Sequence, residues 1–82
     1  MKKKSENKIQ PRRLDSLFLG EEAVIHSIEP SSASERLSEM GVVKGEKVTL
    51  MRIAPLGDPL LIKVLDAPLA VRRVDLASVW VI

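Results

Sequence analysis

The sequence contains no cysteine and only two aromatic residues, Phe18 and Trp80. The absence of cysteine excludes disulfide scaffolds, cysteine-ligated zinc or iron–sulfur sites and thiol catalysis. Because aromatics make up 2% of the chain, a buried core has to be built from Leu, Val, Ile, Met and Ala. A chain of 82 residues has room for one small domain, which depends on that aliphatic core for its stability.

The shortage of aromatic side chains also limits what the domain can bind. Recognition of proline-rich peptides needs an aromatic-lined groove, and single-stranded nucleic acids stack their bases on aromatic side chains. Phe18 and Trp80 are far apart in the sequence and cannot line such a surface well. We therefore expect neither a polyproline ligand nor a nucleic acid partner.

Long hydrophobic segments are absent as well. The longest stretch without a charged residue is Leu76–Ile82, seven residues, whereas a membrane-spanning helix needs about 20 apolar ones. The chain starts with positive charge, but residues 5–13 provide no apolar segment of the kind that a signal peptide requires. The sequence therefore predicts a cytoplasmic protein without a transmembrane segment.

The charge is unevenly distributed along the chain, although the formal net charge is only +2. Residues 1–13 hold six basic side chains against Glu6 alone, whereas residues 14–82 hold seven basic and ten acidic ones. We interpret residues 1–13 as a disordered basic tail and residues 14–82 as the folded domain. Three roles are open for the tail: peripheral contact with an anionic membrane, steering of nucleic acid, or solubilisation alone.

The pattern of residues 14–82 indicates a mostly β domain. Apolar and polar residues alternate in short segments bounded by Gly, Pro and Asp, which is typical of strands joined by turns. Strands are predicted at Ala23–Glu29, Lys47–Ala54, Leu60–Leu65, Leu69–Arg73 and Val79–Ile82, with a helical turn at Val74–Ser78. About five short strands at such close spacing predict a small closed barrel.

One short α-helix is predicted after the first strand, at about residues 32–40. Ser32 and Glu35 have the spacing of a capping box at its start, and Gly41 stands where a left-handed residue ends a helix. An apolar stripe at i, i+4 and i+7 is expected to be buried, and it consists of Ala33, Leu37 and Met40.

Turn-forming residues mark the connection between the second and third strands. Ala54-Pro55-Leu56-Gly57 fits a type I turn, with Pro at its second position and Gly at its fourth. Pro59 is expected to hold the preceding Asp58 extended. Gly57, and Gly45 in the turn before the second strand, are interpreted as structural because glycine readily adopts positive φ.

A set of motifs spans the whole predicted domain. The motifs are Arg36-Leu37, Met40-Gly41-Val42, Gly45, Val48, Ala54-Pro55-Leu56-Gly57-Asp58-Pro59 and Leu69-Ala70-Val71-Arg72. Together they resemble the FeoA family, and the hexapeptide at 54–59 is the most specific part of the resemblance. The resemblance implies an SH3-like β-barrel and a small cytosolic accessory of the FeoB ferrous iron transporter, with Fe²⁺ as the transported ion.

The function implied by the resemblance is that of a binding protein, which docks on the cytosolic part of a FeoB-type transporter and modulates it. One alternative is a regulatory domain similar to the C-terminal SH3-like module of metal-dependent transcriptional repressors, or a free-standing homo-oligomer. Another alternative is a protein that binds a transition metal weakly.

Five residues are candidates for contact with a partner: Leu56 and Asp58 in the turn loop, and Arg36, Arg72 and Arg73 outside it. Leu56 is an apolar side chain at a loop tip, where partner contact and packing back onto the barrel are equally good interpretations. The arginines offer cations to a partner surface, with an ordinary solvated surface as the alternative.

No catalytic site and no tightly bound cofactor are predicted. His26 is the only histidine and has no cysteine to join it, so it is a weak metal candidate and is better explained as a strand residue. No nucleophile and base pair can be assembled from the sequence. We therefore predict a protein that is not an enzyme and binds Fe²⁺ at most weakly.

Overall fold

The structure is a computed structural model, and it describes residues 10–82. The strands of this part are β1 (Arg12–Arg13), β2 (Glu22–Ile28), β3 (Lys47–Ile53), β4 (Leu60–Val64), β5 (Ala67–Val71) and β6 (Val79–Val81). Its helices are α1 (Ser34–Glu39), α2 (Arg73–Leu76) and a 3₁₀ helix at Leu14–Ser16. The five strands predicted from the sequence are present, with boundaries that agree to within two residues.

All six strands form one antiparallel sheet in the order β1-β6-β2-β3-β4-β5. The register shifts between Ile25 and Ser27 in β2 and between Leu50 and Arg52 in β3. Such irregularities increase the local twist and help a sheet to curl. In the described part β1 and β5 are the two sheet edges and do not pair, so the sheet is barrel-like without being closed. The mostly β prediction is confirmed, and the prediction of closure is wrong.

The core enclosed by the sheet and the helices is entirely aliphatic. Its buried members are Leu14, Leu17, Ala23, Ile25, Ala33, Leu37, Val42, Val48, Leu50, Leu60, Ile62, Val64, Val71, Leu76, Val79 and Val81. Strand β3 illustrates how the apolar residues reach this core. Val48 and Leu50 point inward while their neighbours point outward, because successive side chains of a strand lie on opposite faces of the sheet. Neither methionine of residues 10–82 joins this core, because Met40 and Met51 are exposed.

The strand β1 lies where the sequence predicted a disordered tail. Arg12 pairs with Val81 and Arg13 with Trp80, and the Arg12 guanidinium bonds to the Glu21 carboxylate. A strand of two residues has no periodicity of its own and is defined only by its partner β6, which is distant in sequence. Residues 12 and 13 therefore belong to the folded domain, while residues 1–9 of the predicted tail lie outside the described residues.

The start of α1 differs from the predicted capping box. Ser32 and Glu35 do not cap the helix, whose first flanking residue is Ala33 without a side-chain cap. Instead, the Ser31 hydroxyl accepts the Ala33 N–H at 3.2 Å, and the Ser34 hydroxyl donates to the Ser31 carbonyl at 3.0 Å. Ser31 and Ser34, which lie on either side of Ser32, therefore form the side-chain hydrogen bonds to backbone groups at this end of the helix. The helix begins at Ser34.

The end of α1 alters the predicted apolar stripe. Ala33 and Leu37 are buried, but Met40 is 38% exposed. Met40 has φ −91° and ψ 5°, so the helix has already ended there and the i+7 spacing no longer applies. Gly41 follows with φ +101°, the left-handed conformation expected at a helix end.

The β4–β5 hairpin turns earlier than the sequence predicted. Its two central residues, Leu65 and Asp66, have φ +55° and +63°, and Ala67 already belongs to β5. Leu65 lies against Gly41, where an added Cβ would be 2.7 Å from the Leu65 Cδ1. The hairpin therefore packs over the end of α1, where the positive φ of Gly41 favours glycine, and a Cβ there would displace the tip of the exposed Leu65 side chain.

Candidate functional site

The most exposed large apolar side chain of the described part belongs to Leu56, at the tip of what we call the Leu56 loop, residues 54–59. The Gly57 N–H donates to the Ala54 carbonyl at 2.7 Å, with Gly57 at φ +89°, and closes the turn around Pro55. The Ala54 N–H donates to the Pro59 carbonyl at 3.1 Å at the base of the loop. Leu56 is 96% exposed, so the loop is ordered by its backbone and does not pack this side chain onto the barrel.

Arg73, the first residue of α2, fastens the Leu56 loop to the rest of the domain. Its Nε and Nη2 donate to the Gly57 carbonyl at 3.2 Å each, and its Nη1 donates to the Asp15 carbonyl at 3.2 Å. Its backbone N–H donates to the Asp58 carboxylate at 2.8 Å. The fixed fork of a guanidinium suits this arrangement, because it presents several donors in one plane. Partner contact by Arg73 and Asp58 stays a prediction, but both side chains already hold the loop.

The other two candidate arginines meet at a single carboxylate. The Nη2 atoms of Arg36, in α1, and of Arg72, just before α2, lie 3.3 and 3.4 Å from the same Oδ2 of Asp75. The Asp75 side chain is only 10% exposed, whereas both arginine side chains are more than half exposed. Because one negative charge is shared by two guanidiniums, the cluster keeps excess positive charge and has N–H donors free for a partner.

These contacts bring most of the predicted partner residues together around α2. Arg73 lies against Gly57, next to Leu56, and is flanked in sequence by Arg72 and Val74. Val74 is 69% exposed, and sequence reasoning missed it because it falls in an ordinary apolar helical pattern. We call Leu56, Val74, Arg36 and Arg72 the α2 surface. It combines two exposed apolar side chains with a cationic pair.

The remaining motif residues support the fold. Leu37 is fully buried in the core, and the Gly45 N–H donates to the Ile25 carbonyl at 2.8 Å, with Gly45 at φ +94°. The peptide bond between Asp58 and Pro59 is cis. Leu37 and Gly45 therefore have structural roles.

His26 lies half-buried on β2, where its Nδ1 is 3.3 Å from the hydroxyl of the adjacent Ser27. Within residues 10–82, no three His, Asp or Glu side chains are grouped closely enough to hold a metal ion. A metal role for His26 therefore stays a prediction, and any such site would need ligands in addition to the protein groups seen beside it.

A cleft of about 540 Å³ opens on the outer side of β2, β3 and β4. Its walls carry charges of both signs, from Glu22, Glu46, Lys47, Lys63 and Asp66. This mixture favours neither a cation nor an anion, and the cleft contains none of the predicted partner residues.

The side chain of Glu21 shows the clearest electrostatic perturbation in the described part. Its Oε1 accepts the Phe18 N–H at 2.9 Å, and its other oxygen bonds to the Arg12 guanidinium. The Phe18 hydrogen bond, supported by Arg12, lowers the pKa of Glu21 below its ordinary value. The carboxylate is therefore ionised at neutral pH and acts as a structural acceptor.

Among the helices of the described part, none is long and apolar enough to cross a bilayer.

Residues 12–82 match a protein-family model described as the FeoA domain. The match includes β1 and so covers nearly all of the described fold. A curated protein similar to this chain is the Fe(2+) transport protein A/Fe(2+) transporter FeoB fusion protein of Porphyromonas gingivalis, which is 37% identical over 70 residues. Those residues are 84% of this chain but only 8% of the fusion, so the chain spans less than a tenth of that relative.

Solved structures show the same fold. The FeoA of Stenotrophomonas maltophilia, described as a procaryotic SH3 domain protein and complexed with zinc, superimposes with a TM-score of 0.77 at 33% identity. The match covers 87% of this chain and 89% of that one, and it confirms the SH3-like prediction. IdeR of T. acidophilum also has a TM-score of 0.77, over 92% of this chain and 35% of its own. Its identity of 17% shows a shared fold alone. By the family match and the identity to its relatives, the chain belongs to the FeoA family.

Proposed function

We propose that this protein is a non-catalytic accessory of ferrous iron transport, which docks on the cytosolic part of a FeoB-type transporter and modulates it. The observation that carries the proposal is the Porphyromonas gingivalis fusion, in which Fe(2+) transport protein A and FeoB are named as parts of one protein. Fusion keeps two modules at a high effective concentration. A separate chain needs a docking surface to reach the same association.

The α2 surface has the composition that such docking requires. Protein interfaces concentrate their binding energy in a few well-packed anchors, surrounded by a polar rim that selects the partner. Leu56 and Val74 would supply the anchors, and Arg36 with Arg72 the cationic rim. The complementary site on the transporter is an apolar pocket bordered by acidic side chains.

The bonds behind Leu56 favour its role as an anchor. A flexible loop loses conformational entropy when it binds, whereas a loop already held in one conformation does not. Arg73 and Asp58 hold the Leu56 loop through four hydrogen bonds to carbonyl or carboxylate oxygens. These two residues therefore support docking by positioning the loop, without themselves needing to touch the transporter.

In this proposal Fe²⁺ is the cargo of the transporter and not a resident cofactor of this chain. The zinc complex of the Stenotrophomonas maltophilia FeoA is a property of that protein, which is also described as a candidate activating factor for ferrous iron transport. That description supports an accessory role. The likeness to IdeR shows the fold alone, so no observation favours a regulatory domain over docking.

A titration of this protein against the cognate transporter, purified in detergent, tests the proposal. Leu56→Asp should weaken association by at least about tenfold, because burial of a leucine contributes on the order of 1.5 kcal/mol or more. Its melting temperature should stay unchanged, since the side chain is exposed. Leu19→Asp is the matched control, as Leu19 is exposed but lies outside the α2 surface.

Two results would contradict the proposal. The first is a wild-type protein that associates with neither the full transporter nor its cytosolic domain. The second is an equal loss from Leu56→Asp and Leu19→Asp, which would mean that docking does not use the α2 surface.

A further inference from the structure

Strand β5 is an edge of the sheet, because within residues 10–82 it pairs with β4 on one side only. A sheet edge carries backbone N–H and C=O groups that can pair with another strand, and folded proteins protect such edges with charged side chains or by keeping them very short. The opposite edge, β1, has two residues and both are arginines, whereas β5 has five residues and none of them is charged. The edge at β5 is therefore the one that is open to a further strand.

The register of the β4–β5 hairpin decides which backbone groups of β5 face outward. Val64 and Ala67 flank a turn of two residues, so they form a hydrogen-bonded pair, and the ladder continues from there to the end of β5 without a bulge. Along an antiparallel ladder, alternate residues bond to the neighbouring strand and those between them point away from it. The groups that point away from β4 are thus the carbonyl of Pro68 and both the N–H and the carbonyl of Ala70. Proline has no N–H to add to them.

Arg72, the residue after β5, adds one donor to this edge. Its φ of −66° and ψ of 143° keep the backbone extended, so its N–H points outward like that of Ala70. Its carbonyl, in contrast, already accepts the N–H groups of Asp75 at 3.0 Å and Leu76 at 3.2 Å, in the turn of α2. The edge therefore offers donors from Ala70 and Arg72 and acceptors from Pro68 and Ala70.

This set of donors and acceptors is self-complementary about a two-fold axis through Ala70. In an antiparallel pair centred on this residue, the N–H and the carbonyl of one Ala70 bond to the carbonyl and the N–H of the other. The Arg72 N–H of each copy then lies opposite the Pro68 carbonyl of the other copy. Proline cannot donate the reciprocal bond, but none is needed, because α2 already uses the Arg72 carbonyl. Every outward group of the edge finds a partner.

A strand of a different sequence fits this edge less well than a second copy does. Opposite Arg72, a residue other than proline would direct its N–H at a carbonyl that is already bonded. Opposite Pro68, it would keep a carbonyl without a donor unless that carbonyl is bonded elsewhere. The side chains also suit self-pairing, since Pro68 and Ala70 are exposed and uncharged, and no like charges lie directly opposite each other across the axis.

We propose that β5 is a contact between two copies of this chain, which pair antiparallel about Ala70 and join their sheets into one. The contact consists of the two Ala70 bonds and the two bonds from Arg72 to Pro68. Because so few bonds hold it, the copies should associate reversibly, in roughly the micromolar to millimolar range. The pairing does not depend on a transporter.

Sedimentation velocity of the full-length protein over a series of concentrations tests the contact. Wild type should shift from monomer to dimer as the concentration rises. Ala70→Lys and Ala70→Glu should each weaken dimerisation at least about tenfold, because each places two like charges opposite one another at the axis. An equimolar mixture of the two variants should form the dimer again, since opposite charges then meet. Met51→Lys is the matched control, because it adds the same charge at an exposed strand residue away from β5, and it should stay within about twofold of wild type.

Amide exchange of wild type, measured by NMR, keeps the test valid if a variant at position 70 is unstable. The Ala70 and Arg72 amides should gain protection as the concentration rises, whereas the amides of β1 at the opposite edge should not change. The proposal is overturned if wild type stays monomeric, if either variant at position 70 dimerises like wild type, if the two folded variants fail to associate when mixed, or if the added protection appears at β1 instead. A monomeric wild type whose binding to the transporter in detergent is lost in Ala70→Lys, at an unchanged melting temperature, would identify β5 as a docking edge for the transporter.

Discussion

Two loops of the domain expose large apolar side chains: the Leu56 loop and the turn at residues 18–21, which we call the Phe18 turn. The first is held by a cationic side chain and the second by an anionic one. The Arg73 guanidinium donates to backbone carbonyls of residues 15 and 57, whereas the Glu21 carboxylate accepts a backbone N–H from Phe18. In both places a charged side chain stabilises backbone groups that would otherwise bond only to water. In this domain both exposed apolar tips therefore have an ionic side chain behind them that bonds to the backbone.

The two regions should respond differently to pH. A guanidinium keeps its charge over the whole range in which proteins are folded. The Glu21 carboxylate titrates, and its pKa is lowered in the folded state by the Phe18 N–H and by Arg12. Its contribution to stability is therefore fully present above the unfolded pKa, for which the ordinary value is 4.5, and is lost as the pH falls through the lower folded value. Acid should weaken the bond from the Phe18 N–H to Glu21, while the bonds from the Arg73 guanidinium to the Gly57 and Asp15 carbonyls persist.

The largest effect is expected from Arg73→Ala. This change removes three donors to the Gly57 and Asp15 carbonyls and should lower the free energy of unfolding by about 2 kcal/mol. Urea denaturation followed by circular dichroism measures the loss. Arg72→Ala is the control and should cost less than about 1 kcal/mol, because the Arg72 side chain is exposed and Asp75 keeps its ion pair with Arg36.

Arg73→Lys sharpens this prediction. Lysine keeps the charge but cannot reach both carbonyls with a planar fork, so it should recover less than half of the lost stability. Full recovery by lysine would show that charge alone matters at this position and would contradict the role assigned to the guanidinium geometry.

An intermediate effect is expected from Asp58→Ala. The carboxylate accepts the Arg73 N–H at 2.8 Å at the start of α2, as an N-cap side chain would, and its loss should cost about 1 kcal/mol. The same denaturation experiment measures the change. Asp58→Asn keeps an acceptor oxygen and should restore most of the stability. If asparagine behaves like alanine, the hydrogen bond is not the reason for the effect.

The smallest effect is expected at Glu21 and should be local. When the pH is lowered from 6 through the folded pKa of Glu21, which lies below the ordinary value of 4.5, the protection of the Phe18 amide relative to its intrinsic exchange rate should fall, because a protonated Glu21 accepts its hydrogen bond more weakly. Amide exchange measured by NMR reports this directly, with the Gly57 amide as an internal reference for the Leu56 loop. Glu21→Gln should abolish the pH dependence at Phe18. An equal fall in protection at both amides would mean that acid loosens the whole domain.

Much of the fold was predictable because it depends on local pattern. The alternation around Val48 and Leu50 predicts β3, and the turn at residues 54–57 follows from Pro55 and Gly57. The sequence leaves the exposure of Leu56 open, since it does not say whether a loop tip packs back. It does not reveal the structural role of Arg73, because the two carbonyl acceptors of its guanidinium, at residues 15 and 57, are distant in sequence.

The sequence by itself determined the aliphatic core, the short strands, the family motifs and the basic character of residues 1–13, because each depends on composition or on spacing between near neighbours. Only the tertiary structure decided that Arg12 and Arg13 form an edge strand and that the side chains of Met40 and Phe18 are exposed. The reason is physical: hydrogen-bond partners and burial are set by residues far apart in the chain, which meet only when the sheet curls.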